Sequence, residues 1–223
     1  MPRHLAALAL ATATALPAAA QDLPLPLTVR GNEPFWSLAI TPETILFEDM
    51  EGARLEAPYA PPTLQDGAQV FDTPAGPLRL TATLCHDDMS GMPYPLSATL
   101  TRDGRDLAAC AGDPAALLAG DWIANVLDGT QLPATAFVIL SFSDGALTGR
   151  SACNRYRGTY TLSGEGLALG GFALTRMACT PDLMAIEQAV LAAFATVTQF
   201  DIAADGALLL KSDGSTTVLT ATR

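Results

Sequence analysis

Few residues in this chain have side chains suited to chemistry. Four cysteines (Cys85, Cys110, Cys153, Cys179) and two histidines (His4, His86) are its complete stock of thiols and imidazoles. A Ser-His-Asp or Cys-His site needs a base beside its nucleophile. Past the N-terminal segment only His86 could serve. An even number of cysteines in an exported chain reads as disulfides. Three pairings are open. Sequential pairing, Cys85–Cys110 with Cys153–Cys179, closes two loops of similar size and would stabilise by about 3–4 kcal/mol each. A zinc site has neither CxxC spacing nor partner histidines to support it.

Two carboxylate-rich runs remain. His86, Asp87 and Asp88 have the composition of a metal site. Neighbouring side chains on a strand diverge, so three in a row chelate one ion only from a loop. Ser90-Gly91 and Pro93 would provide one, and a hydrogen-bonded turn beside a disulfide explains the same residues. Glu48, Asp49, Glu51 and Glu56 could pair for glycoside hydrolysis, but their setting, Phe47-Glu48-Asp49-Met50-Glu51-Gly52, reads as a solvated acidic turn. No glycine-rich phosphate loop is present. The expectation is a protein that is not an enzyme, with no metal and no cofactor assigned.

The strongest local pattern is cationic. Arg150, Arg155, Arg157 and Arg176 crowd the strands that a Cys153–Cys179 bridge would join. Guanidinium forks suit carboxylates and phosphates. With Tyr156 and Tyr160 they are expected to form a mixed aromatic and basic binding face. Strand alternation puts Arg155 and Arg157 on one side and Tyr156 on the other, so only part of the group can converge. Neutralising nearby acids, or facing solvent separately, is the alternative reading. The partner expected is an unidentified protein or a small anionic or apolar ligand.

Composition narrows the field further. The net charge is −11, and Lys211 is the only lysine. Binding to nucleic acid or anionic membranes rests on Lys and Arg, so the balance argues against both. Arg3 and His4, the apolar run Leu5 to Leu16, Pro17 and Ala18-Ala19-Ala20 have the layout of a secretory signal over residues 1–20. Cleavage would leave Gln21 first. The run is too short for a membrane span, which needs about 20 residues, and no later stretch qualifies. With no Cys before Cys85, a lipid anchor is not expected. The location implied is periplasmic or secreted.

The elements that must hold these residues are mostly strands. In the first half, Phe35 to Ile40, Thr44 to Phe47, Ala68 to Phe71, Leu78 to Leu84, Leu96 to Thr101 and Asp106 to Cys110 are β-prone. Asp103-Gly104 marks a tight turn. The three prolines between Ala57 and Pro62 indicate a loop. Asp113-Pro114 divides a first β-rich domain, residues 27–112, from a second, residues 117–223. In the second, Phe137 to Phe142, Ala146 to Arg150, Tyr156 to Leu162, Leu167 to Leu169 and Phe172 to Met177 read as strands. A helix follows, with Thr180 to cap it, Pro181 at its first position and Asp182 near its positive end. Leu183, Ile186, Val190, Phe194 and Val197 form its apolar face. Asp205-Gly206 and Asp213-Gly214 separate three last strands. The fold class expected is α+β.

Particular residues carry a family resemblance. Gly120-Asp121-Trp122, Ser151-Ala152-Cys153-Asn154-Arg155-Tyr156-Arg157-Gly158-Thr159-Tyr160 and Thr175-Arg176-Met177-Ala178-Cys179, with Glu187 in the helix, resemble the META domain of the HslJ type. The resemblance runs from about Leu117 to the end and implies a small open antiparallel β-barrel closed by one helix. It also implies kinship with heat-shock and envelope-stress proteins, with no enzymatic activity attached. This chain departs in lacking the lipid anchor, in its extra first domain, and in Ala152, where the family usually has Gly. In that first domain, Gly31-Asn32-Glu33-Pro34-Phe35-Trp36-Ser37 and Cys85-His86-Asp87-Asp88-Met89-Ser90-Gly91-Met92-Pro93-Tyr94-Pro95 resemble an uncharacterised bacterial envelope family.

These readings converge on a non-catalytic periplasmic binding or envelope-stress support protein. The alternatives are a secreted hydrolase inhibitor presenting a rigid loop such as Met89 to Pro95, or a small hydrolytic enzyme.

Overall fold

The computed structural model describes residues 23–164 and 166–223; the signal segment expected over residues 1–20 lies outside them. In the first half, period-2 alternation sets the architecture. Strands β1 (Leu27–Asn32), β2 (Phe35–Ile40), β3 (Thr44–Asp49), β4 (Arg54–Pro58), β5 (Thr63–Gln65), β6 (Ala68–Thr73) and β7 (Gly76–Thr81) come first. A two-residue pair follows, β8 (Cys85–His86) and β9 (Pro93–Tyr94), then β10 (Leu96–Arg102) and β11 (Arg105–Ala111). All but β8 and β9 join one antiparallel sheet in the order β4-β3-β2-β1-β11-β10-β7-β6-β5. Leu27 and Val29, Trp36, Leu38 and Ile40, and Ile45 and Phe47 point inward to a shared core, while their neighbours point out. Pairing of β1 with β11 brings the first and last long strands together, so the sheet curls around that core.

A four-residue helix, α1 (Ala115–Leu118), leads into the second half and buries Leu118. There follow β12 (Gly120–Leu127), β13 (Thr130–Gln131), β14 (Val138–Ser143), β15 (Ala146–Ser151), β16 (Asn154–Ser163) and β17 (Gly166–Leu174). Helix α2 (Pro181–Thr196) comes next, then β18 (Val197–Ile202), β19 (Leu208–Ser212) and β20 (Thr217–Thr222). The second sheet runs β17-β16-β15-β14-β12-β20-β19-β18, with β13 added beside β12. Its two edges nearly meet: a methyl at Gly166 in β17 would stand 2.2 Å from the Thr198 carbonyl of β18. Helix α2 packs Val190 and Phe194 into the interior. There Phe194 stacks on Phe172 at 5.4 Å and meets Tyr156 edge-on at 5.6 Å. The α+β class with two barrel-like β-rich units is therefore what the chain adopts.

Several local expectations need correction. Strand β7 stops at Thr81, and the two runs expected from Leu167 to Met177 are one strand, β17, bulged near Gly170-Gly171. Thr180 occupies the cap position of α2 without a side-chain cap bond; Pro181 and Asp182 hold the places expected of them. The Pro-rich loop shrinks to residues 59–62, because Arg54–Pro58 pairs with β3.

Both disulfides are sequential. Cys85–Cys110 and Cys153–Cys179 have α-carbons 5.5 and 5.9 Å apart. The first fastens the β8–β9 hairpin to β11. That hairpin then reaches into the second unit: Met92, 5% exposed, is part of its core, and Tyr94 packs beside it. His86 Nε2 lies 2.8 Å from Asp201 Oδ1, and Lys211 Nζ donates to Asp201 Oδ2 at 2.7 Å. Burial raises the Asp201 pKa, but the bonds from His86 and Lys211 outweigh it and hold the carboxyl below the usual carboxylate range.

Candidate functional site

The polar run of the second half folds inward first. Ser151, Cys153 and Asn154 are buried around the β15–β16 turn. Asn154 is fully engaged. Its backbone N–H donates to Glu187 Oε2 at 2.7 Å and its Nδ2 to Glu187 Oε1 at 3.0 Å. Its Oδ1 accepts from the Thr175 hydroxyl at 2.8 Å and the Met177 N–H at 2.7 Å. Ser151 Oγ also donates to Glu187 Oε2, at 3.0 Å. A turn, the segment after β17 and helix α2 are thus joined by one carboxylate and one amide, with the Cys153–Cys179 bridge alongside. Satisfied in this way, these groups hold the turn, the segment after β17 and helix α2 together.

The opposite face of the same strands is basic. Residues 154 to 161 alternate strictly between buried and exposed, so Tyr156 and Tyr160 enter the core while Arg155 and Arg157 face out. The Tyr156 hydroxyl donates to the Ile139 carbonyl at 2.9 Å, and burial raises its pKa. Gly149 leaves that path open, since a methyl there would collide with the Ile139 carbonyl. The mixed aromatic and basic face therefore does not exist as expected: both tyrosines are core residues, and the arginines stand without them.

Apolar neighbours replace the tyrosines. Strand register places Ile123, Ile139, Arg150 and Arg155 in one row across β12, β14, β15 and β16. Arg157 continues the face one row along, opposite Thr148. Phe137 precedes β14 on the outward side and is 57% exposed; Ile123 is 55% exposed. Arg150 Nε donates to the Ala152 carbonyl at 3.0 Å, which fixes its stem. Arg176 is exposed beside the start of β16, its neighbours held there by the Thr175 and Met177 bonds. Among the described residues, no carboxylate pairs with Arg150, Arg155, Arg157 or Arg176. Sequence reasoning missed Ile123 and Phe137. Alternation from the inward Trp122 and Ala124 would have turned Ile123 out.

The other candidates go separate ways. His86 meets Asp201, whereas Asp87 turns back on its own loop and accepts from Ser90 N–H, Ser90 Oγ and Asn32 Nδ2 at 2.7–2.8 Å. Burial raises the Asp87 pKa, but these bonds outweigh it and leave the carboxyl below its usual range. Asp88 is exposed and no group of three ligating side chains forms among the described residues. Nor is Met89 to Pro95 a free inhibitory loop: Met92 and Pro93 are buried and only its tip protrudes. In the acidic turn, Asp49 caps the backbone of Glu51 and Ala53, and Glu48 pairs with Arg54.

Comparison with known proteins places the second half in a family. Residues 115–223 match the family model of the META domain, so the C-terminal half of the chain carries a META domain. Two solved structures are similar to about half of the chain. One is an NMR structure of a protein from Burkholderia xenovorans, 31% identical, covering 49% of this chain and 85% of that one, with a TM-score of 0.41. The other, also an NMR structure of a protein, is 25% identical, covers 50% of this chain and 94% of that one, and has a TM-score of 0.40. No curated protein matches the chain. Among the described residues no helix is long and apolar enough to cross a membrane.

Proposed function

We propose that this chain is a non-catalytic binding and support protein of the bacterial envelope, periplasmic or secreted, whose META domain docks an acidic protein partner. The observation that carries the reading is the outward row Ile123, Ile139, Arg150 and Arg155, with Arg157 and Phe137 beside it. Here cations with no acidic partner among the described residues flank exposed apolar side chains, on a chain whose net charge is −11. Large apolar surface rimmed by charge is a common mark of a protein interface. Arginine adds directional donors for carboxylates. Two disulfides suit an oxidising compartment, in line with an exported chain. The groups that would serve nucleophilic chemistry have other work: the cysteines are bridged, His86 is bonded to Asp201, and Glu187 is bonded to Asn154 and Ser151.

The test is binding of an acidic probe, poly-Glu peptide, read by anisotropy at rising salt. Exposed charges are screened beyond about 10 Å at 0.1 M salt, so affinity should fall as salt rises. Arg155→Ser with Arg157→Ser should abolish the salt-sensitive part and leave the melting temperature unchanged. Unfolding of the double variant, or binding that ignores both salt and substitution, would overturn the reading.

A further inference from the structure

A mouth opens at one end of the N-terminal barrel, where the start of β2, the β3–β4 turn and the β10–β11 hairpin converge. It encloses about 410 Å³, a size common among small-molecule sites, which often lie at barrel mouths. Its floor is aromatic: Trp36 and Phe47, both buried, lie with ring centroids 6.3 Å apart. Phe35, Met50 and Leu107 form the walls. Phe35 is 46% and Met50 78% exposed, so considerable apolar surface stands in water.

Two arginines, Arg102 and Arg105, line this mouth. Arg102 lies over Phe47, 4.5 Å from the ring centroid, and donates from Nη1 to Asp49 Oδ2 at 3.0 Å. Asp49 is already committed. The Ala53 and Glu51 N–H groups, with Arg102, hold its carboxyl below the usual range against the opposing effect of burial. Arg102 is therefore aimed but not saturated: a guanidinium has five donors, and the side chain keeps 26% of its surface open. Arg105 lines the same mouth and has no carboxylate partner among the described residues. Two further acids line the mouth: Glu51 is exposed, and Asp103, 90% exposed, has Oδ2 3.8 Å from Arg102 Nε, a solvated pair that screening weakens and that leaves the Nη2 donors of Arg102 unengaged.

We propose that this mouth binds a small amphipathic carboxylate, its apolar body against Trp36, Phe35 and Leu107 and its head on the open donors of Arg102 and Arg105. The site is separate from the arginine face of the META domain and stands or falls independently of it. Bidentate recognition by arginine favours a carboxylate over an amine of the same shape.

The experiment is an NMR titration of the whole chain, labelled with nitrogen-15, using 3-phenylpropionate and 3-phenylpropylamine as probes. The Trp36 indole N–H reports on the mouth, and that of Trp122, in the other core, serves as internal control. The acid should shift Trp36 saturably and leave Trp122 unmoved, with the amine at least about tenfold weaker. Arg105→Ser should weaken the acid by about tenfold. Phe35→Ser, at a position 46% exposed, should weaken both probes. Equal binding of the amine, shifts at both indoles, no saturable shift, or indifference to Arg105→Ser would each overturn the proposal.

Discussion

Removing the Glu187 carboxylate is the sharpest structural test of the META domain. It accepts three hydrogen bonds, from Asn154 N–H at 2.7 Å, Asn154 Nδ2 at 3.0 Å and Ser151 Oγ at 3.0 Å. Bonds to a charged group are worth about 1.5–3 kcal/mol each. Glu187 is only half-buried, so water can enter the space that Glu187→Ala leaves, and about 1 kcal/mol per bond is the better figure. The total is about 3 kcal/mol. At about 2–4 °C per kcal/mol for a chain of this size, the melting point should fall by about 6–12 °C. Glu187→Gln keeps one acceptor oxygen but turns an amide toward a donor, so about half that loss is expected. Combined with Asn154→Ala, the losses should fall short of additive, because both substitutions break the Asn154 Nδ2–Glu187 Oε1 bond and loosen the same turn. Calorimetric melts of the disulfide-intact variants measure all of this. A shift of less than about 2 °C for Glu187→Ala, or strict additivity, would refute the claim that these groups act as one structural unit.

Two further outcomes follow from local geometry. Ala152 sits in the left-handed region at φ 64° and is buried. Glycine would relieve about 1–2 kcal/mol of crowding but lose a buried methyl and add unfolded-state freedom. Ala152→Gly should therefore stay within about 1 kcal/mol of the parent in denaturant melts, whereas Ala152→Val should cost more than about 2 kcal/mol. The Asp201 carboxyl is held below the usual carboxylate range. Its contribution to stability is complete above the unfolded value and is lost as pH falls through the lower, folded value. Acid titration monitored by circular dichroism should show a decline as pH falls through and below the unfolded aspartate value of about 3.9, and Asp201→Asn should reduce it; an unchanged acid limb would contradict the role given to Asp201.

Much of the fold was legible because period-2 alternation is strong where one face is buried. Trp36-Ser37-Leu38-Ala39-Ile40 and Tyr156 through Thr161 show their inward and outward sides without a structure. The even cysteine count pointed to disulfides, and of the three pairings left open the sequential one is observed. Other elements were hidden by their shortness or position. Strands β4, β5 and β13 lie at edges or beside another strand, carry exposed residues, and have no core pattern to read. The candidate site was half legible: charge type and strand were evident, but the tyrosines were grouped with the arginines against their own alternation. The apolar half of the face, Ile123 and Phe137, depends on register between strands far apart in sequence, which composition does not encode. Nor does any local signal reveal that Met92 leaves its own domain to fill the core of the next.

The central claim is that the outward face of β14, β15 and β16 holds an acidic partner, and photo-crosslinking in the native host tests it most directly. A photoreactive residue at Thr148 lies on that face opposite Arg157; one at Ala39 lies on the outer face of the first sheet and serves as control. The account predicts a discrete adduct with an acidic protein from Thr148, none from Ala39, and its loss in the Arg155→Ser, Arg157→Ser background. Adducts of equal yield from both positions, no adduct from Thr148, or an adduct that survives loss of the two arginines would contradict it.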